Sequence, residues 1–274
     1  MKGEKNVKIV RFLSRDLKEC YGVCLPEDPG RVRLLEGDLF GSYTVTDKTE
    51  EIGQYLPPLV PVNIFALGFN YGKHAEESEV SYPENPVLFI KATTSLTGHE
   101  SPIVLPRVGP DEVDFEAELA IVIGKAGKNI PVERALDHVF GYSCANDVSS
   151  RDWQFHRQKN QWTRGKSFDT FCPLGPYLVT RDALKNANDL RIRSLLNGAV
   201  MQDSRTSDMF YTVEEIVSDL SQSMTLVPGT VILTGTPEGV GFARVPPVFL
   251  RAGDRIAVEI EGLGVLSNPV VMED

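Results

Sequence analysis

The segment Val113–Lys125, VDFEAELAIVIGK, constrains the fold of this chain more than any other. Read as a strand, it places alternate residues on opposite faces. Val113, Phe115, Ala117, Leu119, Ile121 and Ile123 make one clean apolar face. Asp114, Glu116, Glu118, Ala120 and Val122 make the other, which is acidic at first and turns apolar after Glu118. A solvated face would stay polar along its length, so the carboxylates sit where a buried face opens to a cavity. Residues two apart on a strand are about 6.5–7 Å apart at Cα, so Glu116 and Glu118 can converge on one hard cation. A half-exposed strand with outward acids is the other reading of the same pattern.

Around this segment the chain is mostly strand signal. VLFIKA, GPYLVT, RIRSLLNG, GTVILTG and the run Arg255–Glu261 share the β-branched and apolar character of strands. Two helices are expected. One covers Val132–Val139 and is entered through Pro131; the other covers Val213–Ser223, where Thr212 and Glu215 make a capping box and Ile216, Val217 and Leu220 an apolar stripe. Strands outnumber helices without β–α alternation, which predicts an α+β fold rather than a doubly wound sheet. Residues 1–60 form a small leading unit with strands at VKIVRFL and Cys20–Leu25 and a short helix over Lys48–Tyr55. Pro57, Pro58 and Pro61 make a stiff junction, and the remaining residues, 61–274, form the main domain.

Composition removes several function classes. The formal charge of the 274 residues is −10, nearly all of it contributed after residue 60, so a basic groove for nucleic acid is not expected. That charge also sits oddly with an anionic substrate, unless a metal ion changes the local sign. The four cysteines, Cys20, Cys24, Cys144 and Cys172, form no C-x-x-C pair and read as free, mostly buried thiols of a reducing compartment. MKGEKNVKIVRF carries no apolar leader, and no run approaches a membrane span. The expectation is a soluble, cytoplasmic protein without a membrane partner.

Four further segments carry chemistry-bearing residues. In GYSCANDVSSRDWQ, Asp147 follows a small strand-like run and precedes Arg151 and Gln154; an Asn-Asp pair by itself reads as a turn. RGKSFDTFCPLGP places Lys166 in a loop marked by Gly and Pro, where a lysine is ordinarily solvated. In GFNYGKHAEES, His74 and Glu77 are three apart, so one helical turn would pair them as a carboxylate-oriented imidazole, the arrangement of a general base, or leave both on a solvated face. GTPEGVGFA, with Thr236 near its start, lacks the dinucleotide-fingerprint spacing and reads as a tight loop able to present backbone N–H groups. His99-Glu100 has no second His at the zinc-protease spacing. His138 reads as a capping or packing residue and His156 as surface.

Taken together, GFNYGKH, PVLFIKATTSLTG, VDFEAELAIVIGK, GYSCANDVSSRDWQ, KSFDTFCPLGPYLVT, LTGTPEGVG and PPVFLRAGDRIAVEIEGLG resemble the fumarylacetoacetate hydrolase family, most closely its domain-containing protein 2 type. The blocks run in family order over nearly all of residues 63–274, whereas residues 1–60 match much less specifically. The resemblance implies a curled, mixed β-sheet roll with flanking helices, usually dimeric, so a homodimer is expected. It implies Mg²⁺ or Mn²⁺ on Glu116, Glu118 and Asp147. It implies substrate contacts at Arg151, Gln154, Lys166 and Thr236, and a mobile lid whose His74 and Glu77 activate water in hydrolytic members.

The chemistry this implies is that of small 2-oxo acids. Oxygen-only ligands suit Mg²⁺, and a 2-oxo acid chelates through its carboxylate and keto oxygen. Three reactions share an enolate at such a centre. Cleavage of a carbon–carbon bond in acylpyruvate-like 2,4-dioxo acids is the leading expectation, because the His74–Glu77 pair is intact. Oxaloacetate keto–enol tautomerisation is the close alternative, and oxaloacetate decarboxylation a further one. A non-catalytic metal-holding scaffold is also possible on the same residues, although none of the ligands or the lid pair is missing.

Overall fold

A computed structural model describes residues 7–77, 81 and 83–274. The initial MKGEKN and Ser78, the last residue of the GFNYGKHAEES segment, lie outside the described residues. The main sheet follows the order Tyr43–Glu51, Asp28–Gly37, Glu19–Leu25, Lys8–Leu13, Cys172–Thr180, Val139–Asn146, Ala117–Ile123, Thr230–Leu233, Asn63–Gly68 and Val87–Lys91. Along this path every neighbouring pair is antiparallel except Thr230–Leu233 with Asn63–Gly68, which is parallel. A second sheet runs Ala199–Arg205, Arg191–Leu196, Arg255–Ile260, Gly264–Met272 and Ile103–Leu105, its last pair parallel. This is the α+β architecture of mixed sheets that the strand-rich pattern predicts.

All seven residues of Ala117–Ile123 are buried, because both of its faces are cores. On one face Leu119, Ile121 and Ile123 pack with Ile192, Val258 and Ile260 of the second sheet and with Ile216, Val217 and Leu220 of a helix. On the other, Ala120 and Val122 pack with Ile64, Ala66, Leu174 and Leu233 of the main sheet. Each such Val, Leu or Ile side chain contributes about 1.5–3 kcal/mol when fully buried. The second core stops at Glu118, and the acidic end of the strand begins there.

Helices are few. α1 spans Gly72–Glu77 and α2 spans Val213–Ser223. The expected Val132–Val139 helix is present as a 3₁₀ helix, Val132–His138, entered through Pro131. His138, expected to cap or pack, has its Nδ1 3.0 Å from the Lys125 carbonyl. The expected helix over Lys48–Tyr55 does not form. Those residues belong to the strands Tyr43–Glu51 and Gln54–Leu56. Thr44, Val45, Thr46 and Thr49 are β-branched, Val45 lies opposite Leu35, and Lys48 Nζ reaches Glu36 Oε1 at 3.0 Å across the strand pair. Cross-strand partners outweigh the weak helical propensity of a segment with no apolar stripe. The leading strands continue the main sheet, since Lys8–Leu13 pairs with Cys172–Thr180. None of the four cysteines is bridged; Cys144 and Cys172 are buried and Cys20 and Cys24 half-buried.

The capping box of α2 is complete. The Glu215 N–H donates to Thr212 Oγ1 at 3.3 Å, and the Thr212 N–H donates to Glu215 Oε2 at 2.8 Å. Because α2 covers the core face of the central strand, its stability is the stability of that layer. Thr212→Ala is expected to cost about 1 kcal/mol of folding free energy, with the cleft chemistry unaltered. A denaturant melt in parallel with wild type measures this; an unchanged midpoint would show that the cap carries no weight.

Candidate active site

Ladder pairing breaks at Phe115 and Glu116, between Val113–Asp114 and Ala117–Ile123. Side-chain amides replace the missing strand partners. The Glu116 N–H donates to Asn146 Oδ1 at 2.9 Å, and the Ala117 N–H donates to Gln202 Oε1 at 3.0 Å. The Asp147 N–H in turn donates to the Glu116 carbonyl at 2.9 Å. The Asn-Asp pair is therefore the end of the Val139–Asn146 strand, and it carries Asp147 to the acidic end of the central one. One carboxylate oxygen from each of Glu116, Glu118 and Asp147 lies within 4.8 Å of the others, and all three residues are buried.

Cations surround this triad. Lys166 Nζ donates to Glu116 Oε2 at 2.6 Å and to Asp147 Oδ2 at 2.7 Å. Arg151 Nη2 lies 2.8 Å from Glu116 Oε1 and 2.8 Å from Asp114 Oδ2. Lys91 Nζ donates to Asp147 Oδ1 at 2.5 Å and also to the Lys166 carbonyl. Burial alone would lower the Lys166 pKa, but Asp147 and Glu116 outweigh it and push it up. Burial likewise opposes a charge on Arg151, and Asp114 with Glu116 more than offsets it. Burial also opposes ionisation of Glu116, yet Lys166 and Arg151 hold its carboxyl well below the usual carboxylate range.

Glu118 is the exception. Its Oε2 accepts the Gly235 N–H at 2.6 Å, while its buried Oε1 has no hydrogen-bond partner among the described residues. Burial, followed by the charges of Asp147 and Glu116, pushes its carboxyl well above the usual range. A buried acid with an orphaned oxygen, beside two more carboxylates and no sulfur or nitrogen ligand, is the donor set of a hard divalent cation. The residues present fit such an ion.

The other expected residues converge here too. His74 and Glu77 face the same way on α1, with Nδ1 3.3 Å from Glu77 Oε2, and Glu77 accepts the Gly239 N–H at 3.1 Å. His74, Glu116, Arg151, Gln154, Lys166 and Thr236 all line one cleft of about 360 Å³ including its mouth. Gln154 lies on a π-helical turn, Asp152–Arg157, and its Oε1 accepts from Arg151 Nη1 at 2.8 Å. Thr236 Oγ1 donates to the Ala117 carbonyl at 3.0 Å and accepts from Gln202 Nε2 at 2.8 Å. Its proton is engaged, so toward a ligand it can only accept. The GTPEGVGFA segment is the loop expected, and Gly235 enters it at φ 94°, where a Cβ would meet Asn70 at 2.9 Å.

Two residues of this network escaped the sequence reading as site residues. Lys91 is buried at the end of Val87–Lys91, on the same face as buried Phe89, while Ile90 beside it is half exposed. A lysine in register with a core phenylalanine was the available signal. Asp114 was noted only as part of an acidic face. It accepts the N–H groups of Gly241 at 2.7 Å and Phe242 at 3.0 Å as well as the Arg151 guanidinium, and nothing local to Asp114 announces partners so distant in sequence.

Comparison with known proteins identifies the family. The family model described as the C-terminal domain of fumarylacetoacetate (FAA) hydrolase matches residues 63–271. A mitochondrial oxaloacetate tautomerase of Xenopus laevis is 51% identical over 211 residues, covering 77% of this chain and 66% of that protein. The chain thus spans about two thirds of the length of such curated relatives. Among solved structures, a 5-carboxymethyl-2-hydroxymuconate delta-isomerase from Mycobacterium smegmatis is 38% identical, with a TM-score of 0.85 over 97% of this chain and 100% of that one. A fumarylacetoacetate hydrolase from psychrophilic Exiguobacterium antarcticum is 36% identical, with a TM-score of 0.83 over 97% and 100% of the two chains. The chain belongs to the fumarylacetoacetate hydrolase family of enzymes.

Proposed function

We propose that this protein is a divalent-cation-dependent enzyme of small 2-oxo acids, with Mg²⁺ or Mn²⁺ as its ion, and that its reaction is the keto–enol tautomerisation of oxaloacetate. The observation that carries this reading is the cleft itself: His74, paired with Glu77, lines the same space as Glu116 of the carboxylate triad and the cations Arg151 and Lys166. The Xenopus relative bears that activity in its name, which favours tautomerisation over the acylpyruvate cleavage expected first. The assembly proposed, from the family resemblance, is a homodimer.

A divalent cation on Glu116, Glu118 and Asp147 would supply a Lewis acid toward the 2-oxo group of the substrate. The chain's own residues account for the rest. In this reading the Nδ1 proton of His74 is assigned to its contact with Glu77, so that Nε2 is the nitrogen that acts as base. Nε2 takes a proton from carbon 3 of the substrate and returns it to the oxygen on carbon 2, so keto becomes enol with no change in composition. Arg151 and Lys166, both buried, hold fixed positive charge where negative charge develops. Gln154 offers the amide N–H donors that its contact with Arg151 leaves unused. Carbon–carbon hydrolysis is the second reading, favoured by the same His74–Glu77 pair: there Nε2 would take its proton from water.

His74→Ala is expected to lower kcat for enol-oxaloacetate conversion by about 10²-fold or more while ion binding persists. Decay of the enol absorbance measures it, and a full rate in the variant would remove the base from this role. Cleavage of acetylpyruvate by the wild-type protein would instead move the function to the hydrolytic reading.

A proton must leave Glu118 before its carboxylate could serve an ion as an anionic ligand. Because burial and its acidic neighbours raise its pKa, the metal-free protein retains that proton above the ordinary carboxylate range. Mg²⁺ affinity is therefore expected to rise with pH above the ordinary carboxylate range, with protons released on binding. Calorimetry in buffers of different ionisation enthalpy checks both, and a pH-independent affinity without proton release would exclude Glu118 as a ligand. Activity is expected to vanish with a chelator and to return with Mg²⁺ or Mn²⁺.

A further inference from the structure

One side of the cleft is built of rings rather than charges. The His74 and Phe69 rings stack with centroids 6.1 Å apart. Phe69 meets Trp162 edge-on at 5.4 Å, Trp162 meets Phe89 edge-on at 5.6 Å, and Lys166 Nζ lies 5.2 Å from the centre of Phe89. The three rings therefore make a continuous wall from the base to the ammonium group beside the carboxylates. Phe69, Phe89 and Trp162 all line the cleft.

The backbone makes two local concessions to hold this wall. Phe69 sits at φ 54°, in the left-handed region that a bulky non-glycine side chain rarely occupies. Gly68, directly before it, has no Cβ, and a Cβ there would overlap the Trp162 ring. Trp162 is thus packed between a residue that must be small and two aromatic rings, and has little freedom to swing aside. Trp162 and Phe69 share this lining with His74, Arg151 and Lys166.

We propose that Trp162 sets the size of the group a substrate carries on carbon 3 and so restricts this cleft to small 2-oxo acids. The inference rests on the reading of the cleft as a 2-oxo-acid site and names its specificity. A substrate whose carboxylate and keto oxygen lie toward Glu116 and Lys166, with carbon 3 beside His74, runs along the wall. Whatever projects from carbon 3 then meets Phe69 and Trp162. The larger that group, the more of the volume occupied by the indole it needs, and an aryl ring needs most. Trp162 touches the substrate's substituent and takes no part in proton transfer.

The test is binding, read separately from turnover. Oxamate mimics a 2-oxo acid with its nitrogen in the place of carbon 3, and N-phenyloxamate adds a ring at that nitrogen only. With Mg²⁺ present, calorimetry on the wild-type protein is expected to give N-phenyloxamate a Kd at least about tenfold weaker than oxamate. Trp162→Ala should close that gap by about tenfold while oxamate and Mg²⁺ still bind. Trp162→Phe, which keeps an aromatic packing partner, should close it partly and serves if the alanine variant does not fold. Equal wild-type affinities for the two probes, or an unchanged ratio in a folded variant, would overturn the role of Trp162. Failure of the wild-type protein to bind oxamate at all would overturn the 2-oxo-acid reading and this inference with it.

Discussion

The charge network around Glu116 is the interaction on which the rest of the site depends. Four carboxylates, Asp114, Glu116, Glu118 and Asp147, are buried together with Lys91, Arg151 and Lys166. Each of these ions alone would be costly to bury, and removal of any one leaves its partner uncompensated in a medium of low dielectric. Glu116 lies between Lys166 and Arg151, and Asp147 between Lys166 and Lys91. The cations therefore order the acids into a cluster and leave Glu118 as the one acid among them with a free oxygen and no direct cation contact among the described residues.

Backbone amides complete the compensation, and they come from one loop. The N–H groups of Gly235, Gly239, Gly241 and Phe242 donate to Glu118, Glu77 and Asp114. The segment that follows the parallel strand Thr230–Leu233 thus fixes an acid of the triad, the carboxylate paired with His74 and the partner of Arg151 at once. Oriented N–H groups of this kind stabilise negative charge without adding a side chain to the cleft. The overall charge of −10 accordingly says little about the substrate. A divalent ion on the triad would turn the net sign of this cluster positive, which suits an anionic 2-oxo acid.

Polar cluster and aromatic wall divide the work in the proposed reaction. The cluster supplies charge where the substrate oxygen becomes negative, and the wall of Phe69, Trp162 and Phe89 excludes water and limits shape. His74 belongs to both, stacked on Phe69 and paired with Glu77. That placement holds His74, on a six-residue helix, near the carboxylates of a strand far away in sequence.

Period and composition were enough for what depends on neighbours along the chain. Alternation made Ala117–Ile123 a core strand with Glu116 and Glu118 at its open end, and the Thr212–Glu215 spacing marked the start of α2. The three-residue interval of His74 and Glu77 offered their pairing once a helical turn formed there. Block resemblance extended this to Asp147, Arg151 and Lys166. Packing in three dimensions decided the remainder. The segment Lys48–Tyr55 became strand because its partners lie across the sheet, and Lys91 and Asp114 acquired roles only where distant segments met. Trp162 became a wall only against Gly68, Phe69 and Phe89. Local pattern reports which face a side chain occupies, whereas the cost of burying a charge, or of crowding a ring, depends on what the fold brings against it.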